Sequence, residues 1–284
     1  MATTAVEPLP MTPTARRPRV AGALAALASR RASLTSRTPR QIVVPLIGPA
    51  VLALVAAPAL DAATGGLHGG LDYTAFVCIG TVGLLVPLTC IFAGLSVLVD
   101  REAGAQRELL AAPVPRAYLV LGNLAVATVL AALQVVVLIG LSALRGAHFT
   151  VTAAGLGWFA AATLLFTVFM YGVAEMLASR FDSPEDYIGA TPAVAVLPFF
   201  LAGALFPISA MPAGMTAIAK VLPLTHALAL MRYGFVDHRG TGLHEIWGAG
   251  STTTEAWLSL AVVALAAVVL TAVAIRAFSR SAVN

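Results

Sequence analysis

Five charges of both signs fall within nine residues at Asp100, Arg101, Glu102, Arg107 and Glu108, in the run DREAGAQRELLAAPVPR that ends at Arg116. Long apolar segments flank the run, which puts it in water beside a membrane, where mixed charge suits the docking of a partner rather than the making of bonds. Glu102 to Leu110 is predicted as a short helix with Leu109 and Leu110 turned to the bilayer. Pro113 and Pro115 close it, since proline lacks a donor N–H and restricts the residue before it. A solvated polar loop is the plainer reading of the same composition.

Other chemistry is tightly bounded. A phosphate-cradling loop needs G-x-x-x-x-G-K-[ST], and the only lysine, Lys220, sits in AIAKVL without the glycines. ATP hydrolysis by that route is not expected of this chain, nor is metal or serine-hydrolase chemistry, for want of H-E-x-x-H, C-x-x-C or G-x-S-x-G. Cys78 and Cys90 lie in one predicted helix. At 1.5 Å per residue they are about 18 Å apart, beyond disulfide reach, and read as buried thiols. His226 and His244 read as structural hydrogen-bonding groups. Glu175, well inside a predicted span and five residues before Arg180, could pair with it, snorkel or relay protons. Asn123 and Gln134 are candidates for interhelical hydrogen bonds or for contacts with cargo.

The elements that must carry these residues follow from composition. Of 284 residues 59% are hydrophobic and only 11% charged, with mean hydropathy +0.91, against about 25% charged in soluble domains. The chain is predicted to be an all-α membrane protein. Its net charge of +4 is scattered rather than gathered in a groove with aromatics, so no nucleic-acid partner is expected. Residues 1–19, with Pro8, Pro10, Pro13 and Pro18, are predicted as a disordered tail without a cleavable signal. Residues 20–41 are predicted as an amphipathic connecting helix, with Leu24, Leu27, Arg31 and Leu34 in one stripe and Arg30 and Arg37 on the polar face. An arginine-rich flank that only sets topology is the alternative.

The transmembrane domain, 42–276, divides into six spans at 42–60, 75–98, 117–144, 156–178, 188–206 and 256–276, with 277–284 as a tail. The first is just long enough for a hydrocarbon core of about 30 Å, and Pro45, Pro49 and Pro58 are expected to kink it or unwind its ends. Met211 to Phe235 is too apolar for an ordinary loop and is expected to break at Pro212, Gly214, Pro223 and Gly234. A hairpin dipping into the outer leaflet fits it, as do two further partial spans. Of 17 basic residues, only Arg145, Lys220, Arg232 and Arg239 fall on one side, so the positive-inside rule puts both termini and the charged run in the cytoplasm.

The charged run, the later ALFPISAMP and then VLPLTHALALMR together resemble the type 2 family of ATP-binding-cassette exporter permeases, in its daunorubicin-resistance branch. The family's first pattern falls on Asp100, Arg101, Glu102, Gly104, Leu110, Pro113 and Arg116. Its second falls on Pro223, Leu224, His226 and Arg232, preceded by Phe206-Pro207 and Met211-Pro212. The likeness runs from about Arg30 to Arg280, and Gln106-Arg107 departs from the apolar residue relatives often carry before the arginine. It implies a bacterial plasma-membrane subunit of six helices, with an N-terminal amphipathic helix, a cytoplasmic coupling helix and outer re-entrant helices before the last span. It also implies a second permease copy or a paralogue, and a separate cytoplasmic ATPase that binds ATP and Mg while this chain binds no cofactor. Asp100, Arg101, Glu102, Gly104, Arg107 and Glu108 would then couple to that ATPase. An apolar path near Phe92, Phe199 and Phe200 would carry a hydrophobic drug or lipid-like cargo outward. A glycolipid or polysaccharide exporter of the same fold and an ion-coupled secondary carrier are the competing readings.

Overall fold

The computed structural model describes residues 20–64, 72–104 and 115–281. The predicted tail 1–19 and most of the charged run, including Gln106, Arg107, Glu108, Leu110 and Pro113, lie outside the described residues. All regular structure among the described residues is helical. In chain order these are α1 (Val20–Ser36), α2 (Pro39–Val51), α3 (Ala57–Thr64), α4 (Tyr73–Glu102), α5 (Arg116–Leu144) and α6 (Ala153–Ala178). There follow α7 (Pro184–Gly189), α8 (Leu197–Leu201), α9 (Ala213–Ala219), α10 (Pro223–Phe235), α11 (Thr241–Trp247) and α12 (Thr252–Ser281).

Among the described residues five stretches are long and apolar enough to cross a membrane: Pro39–Ala62, Tyr73–Glu102, Ala117–Leu144, Ala153–Ala178 and Thr252–Phe278. They carry the expected first, second, third, fourth and sixth spans, each longer by at most four residues at either end. The first does not break at its prolines. It runs from α2 to α3 through a π turn at Leu52–Ala56, in which Ala57 N–H bonds Leu52 O. Widening the helix there absorbs the hydrogen bond that Pro58 cannot donate.

The region of the expected fifth span, 188–206, is not one of these five stretches. Its helical residues begin at Pro184, where Ser183 accepts from Asp186 N–H as the N-cap, and they end at Leu201. Between α7 and α8 a second π turn, Pro192–Val196, again sits just before a proline, Pro198. The segment runs along the middle of α4, its Tyr187 hydroxyl reaching Ile91 O (3.0 Å) while its far end lays the Ala204 carbonyl against Gly80. From Gly94 to Gly80 is about 21 Å of helix.

One end of the bundle gathers α1 with the C-terminal ends of α4, α6 and α12. At the other end His148 N–H donates to Asp72 at the start of α4 (2.7 Å) and Thr150 N–H to Phe235 O at the end of α10 (2.9 Å). The segment α9–α10 is bent by 81°. Its chain breaks at Pro212 and Pro223 as expected, but not at Gly214 or Gly234, which lie inside helices. Gly234 is needed for another reason: its backbone lies against Gly155 of α6 so closely that a Cβ on either would overlap the other's carbonyl, and Phe159 and Phe235 stack beside them at 4.2 Å.

Close approach recurs at Gly94, where a Cβ would collide with the Tyr187 hydroxyl. That hydroxyl lies between Ile91 O and Ala174 O, at 3.0 and 3.3 Å. Gly94→Ala is expected to lower stability by about 1–3 kcal/mol, the usual cost of overpacking, read as a fall in the thermal unfolding midpoint. Adding Tyr187→Phe removes the clashing atom, so the double variant should recover part of that fall. No recovery would put the damage elsewhere.

Candidate functional site

At the α1 end a polar cluster brings four helices together. Arg31, 5% exposed, donates from Nη1 to Asp100 Oδ2 (3.1 Å) and from Nη2 to Ala93 O (3.1 Å). Arg30 stands 3.8 Å from the same carboxylate. On α6 the Tyr171 hydroxyl donates to Glu175 Oε2 (2.9 Å). Glu175 and Asp100 both line one small cavity of ≈ 30 Å³ with Asn123, Arg30 and Phe278 of α12. The cluster can carry force between helices, because both Arg31 bonds cross from α1 to α4 and a charge pair shielded from water resists separation.

Arg31 gets there because it occupies a stripe position of α1, one helical turn beyond Leu27, and that stripe packs on α5. Gly122 of α5 lets Leu27 approach, since a Cβ there would lie 3.1 Å from the Leu27 Cβ. Leu34, the last member of the stripe, is left exposed at 37%. The sequence placed Arg31 in this stripe and among the basic residues of one side, but not against Asp100. Its signal was an arginine where the stripe called for leucine.

The charges expected to couple are not used alike. Asp100 is held by Arg31, and Arg101 points back into the fold, donating to Ala178 O (3.3 Å) and Phe181 O (2.5 Å) just beyond α6. A cation there satisfies carbonyls that the helix end leaves unpaired. Glu102 is exposed, and Gly104 adopts a positive φ of 76°. Arg107 and Glu108 lie outside the described residues. Glu175, 2% exposed, neither snorkels nor meets Arg180, which is exposed; it turns inward to Tyr171. Gln134 makes the interhelical bond, joining Thr89 of α4 to Ile42 O of α2.

At the opposite end the second motif forms a clamp. Arg232 of α10 donates to Gly203 O (2.9 Å), Ala204 O (2.7 Å) and Phe76 O (3.3 Å), with its guanidinium 3.4 Å from the centre of the Phe76 ring. His226 places Nε2 at 3.0 Å from Lys220 O and Nδ1 at 3.2 Å from Ser259 Oγ. A carbonyl only accepts, so Nε2 carries the proton and the Ser259 hydroxyl donates to Nδ1, while Trp247 Nε1 donates to Ser259 (2.8 Å). Pro223 opens α10 and Leu224 packs on Gly83 of α4. Phe206, Pro207 and Pro212 are exposed and Met211 half-buried around the short 3₁₀ turn Ile208–Ala210.

The three phenylalanines expected along a path are not brought together. Phe199 is buried and meets Phe200, which is 53% exposed, edge-on at 5.2 Å. Phe92 faces the side of α4 near Arg31 and Gln41.

The family model for the ABC-2 type transporter matches residues 22–236, from α1 to the end of α10. Nodulation protein J of Rhizobium leguminosarum bv. trifolii is 27% identical over 183 residues, which is 61% of this chain and 66% of the relative. The match thus spans just under two thirds of that relative's length.

Proposed function

Because the chain belongs to the ABC-2 type transporter family, we propose that it is the membrane-spanning permease subunit of an ATP-binding-cassette exporter, moving a hydrophobic drug or lipid-like cargo outward on ATP hydrolysed by a separate subunit. The observation that carries this reading is the Arg31–Asp100 pair, which fixes α1 to the last turn of α4 where the charged run begins. The α1 end faces the cytoplasm of a bacterium, by the excess of arginines there. The ATPase, holding ATP and Mg, docks on α1 and on the run that follows α4.

A push on either is delivered to α4 through the ion pair. There is little slack in α4, since Gly80, Gly83 and Gly94 each lie in contact with a neighbouring element. A packed bundle of this kind switches between arrangements rather than deforming smoothly. The α9–α10 pair forms a re-entrant hairpin on the outer side, its apex at Leu222–Leu224 packed halfway along α4. A second permease copy completes the pathway.

Co-expression of the chain with its ATPase tests this. Glu102→Lys with Glu108→Lys is expected to abolish co-purification and cargo-stimulated ATP hydrolysis, while leaving the permease folded by size-exclusion chromatography. Unchanged co-purification would overturn the docking role of the run. Transport that survives ATP depletion but stops when the proton gradient collapses would instead favour a carrier working through Glu175.

A further inference from the structure

A cavity of ≈ 210 Å³ lies where α4, α6, α8 and the apex between α9 and α10 meet. Pro87, Phe166, Met170 and Leu224 make its buried floor, and Phe169 and Val194 stand on its half-buried rim. Every side chain that lines it is apolar. None of Phe92, Phe199 and Phe200 is among them.

We infer that this cavity is a binding site for a hydrocarbon chain that enters sideways from the bilayer, belonging either to a membrane lipid or to the cargo. The inference rests on the permease reading only for the second source. Size allows it, because a dry apolar cavity of about 150 Å³ already admits benzene. Depth favours a chain over a headgroup: Pro87 is the fifteenth of the 30 residues of α4, so the floor lies near the middle of a helix about 45 Å long, level with the bilayer midplane.

The surroundings of the mouth are apolar too. Leu197 and Val221, each next in sequence to a lining residue, are 56% and 77% exposed, which suits an opening on hydrocarbon. A void in contact with lipid tails forfeits dispersion contacts that a tail can supply without desolvation. A polar or charged group would lose its hydrogen bonds with nothing in the lining to replace them. Three of the walls are prolines, Pro87, Pro198 and Pro223, which have no N–H to offer.

The test uses the full chain in nanodiscs of phosphatidylcholine and phosphatidylglycerol, with a phosphatidylcholine carrying a diazirine at the end of one acyl chain as the probe. After illumination, adducts should be several-fold denser on Phe166–Val173 and Leu222–Leu224 than on the outward face of α12 at Leu265–Val269. Met170→Trp, or the milder Val173→Phe should the first not fold, is expected to remove most of the cavity adducts, and Leu265→Trp to leave them. Adding decanol separates the two sources: suppression of the adducts identifies an exchangeable cargo site, and persistence a resident lipid. Adducts no denser than on α12, or undiminished in the filled variants, would overturn the inference. The readout needs neither ATPase nor transport, so its failure leaves the permease reading standing, and a lack of ATPase partnership leaves the cavity result standing.

Discussion

Arg232→Leu is expected to prevent most of the chain from accumulating in folded form, and Arg232→Lys to restore only part of it. The guanidinium spans three carbonyls, of Gly203, Ala204 and Phe76, that belong to two different elements and lie 29, 28 and 156 residues away in sequence. Leucine fills similar space but takes the donor from the Gly203 and Ala204 carbonyls, at about 1–3 kcal/mol each when buried, while Phe76 O keeps its place in the α4 ladder. The desolvation penalty of the charge disappears with the side chain and offsets part of this, so a net loss of about 3–5 kcal/mol is expected, as for other buried charges deprived of their interactions. Against a total stability of about 5–15 kcal/mol that is decisive. Lysine keeps the charge but offers donors from a single point, and it cannot reproduce the planar fork or its stacking on the Phe76 ring. Recovery of a monodisperse peak after detergent extraction, with the unfolding midpoint of whatever is recovered, measures both variants. An Arg232→Leu protein that melts with the unaltered chain would mean that the carbonyls find other donors and that the clamp contributes little.

The distances in that clamp explain what the sequence could and could not tell. The long apolar helices were legible because an apolar run of the right length has few other uses, and the expected 117–144 is helical throughout. Arg232 was marked by its motif, yet its three acceptors are backbone atoms brought in by other elements, and no spacing along the chain encodes them. The helical residues 184–201 differ from the expected 188–206 because Pro192 and Pro198 blur an apolar pattern that the fold continues through a π turn. Arg31 was legible as a member of the α1 stripe, but the partner it meets was not. In the fold its stripe turns toward α5, and Asp100 is there to receive it. Glu175 was visible as an unusual acid, but its partner was sought at Arg180 and lies one helical turn away in the other direction, at Tyr171.

The Arg31–Asp100 pair should separate stability from transmission. Arg31→Ala removes donors to Asp100 and to Ala93 O and leaves the carboxylate near Glu175 with only Arg30 for company. The Asp100 side chain is 24% exposed, so water offsets part of the loss and the cost falls to about 1–2 kcal/mol, short of the 3–5 kcal/mol of a fully buried pair. The folded chain should therefore still be recovered. What it loses is the rigid joint between α1 and α4. Partner ATP hydrolysis is then expected to continue near its basal rate while cargo movement drops severely, a split that a merely destabilised permease would not give. The exchanged pair Arg31→Asp with Asp100→Arg restores attraction across the same gap and should recover movement in part, with a coupling energy of about 0.5–3 kcal/mol in the double-mutant cycle. Glu175→Gln is the contrasting case, since an amide oxygen still accepts from the Tyr171 hydroxyl, and coupling should survive it. If Arg31→Ala moved cargo at the unaltered rate, α1 would be no part of the linkage, and the push from the ATPase would have to enter α4 through the charged run alone.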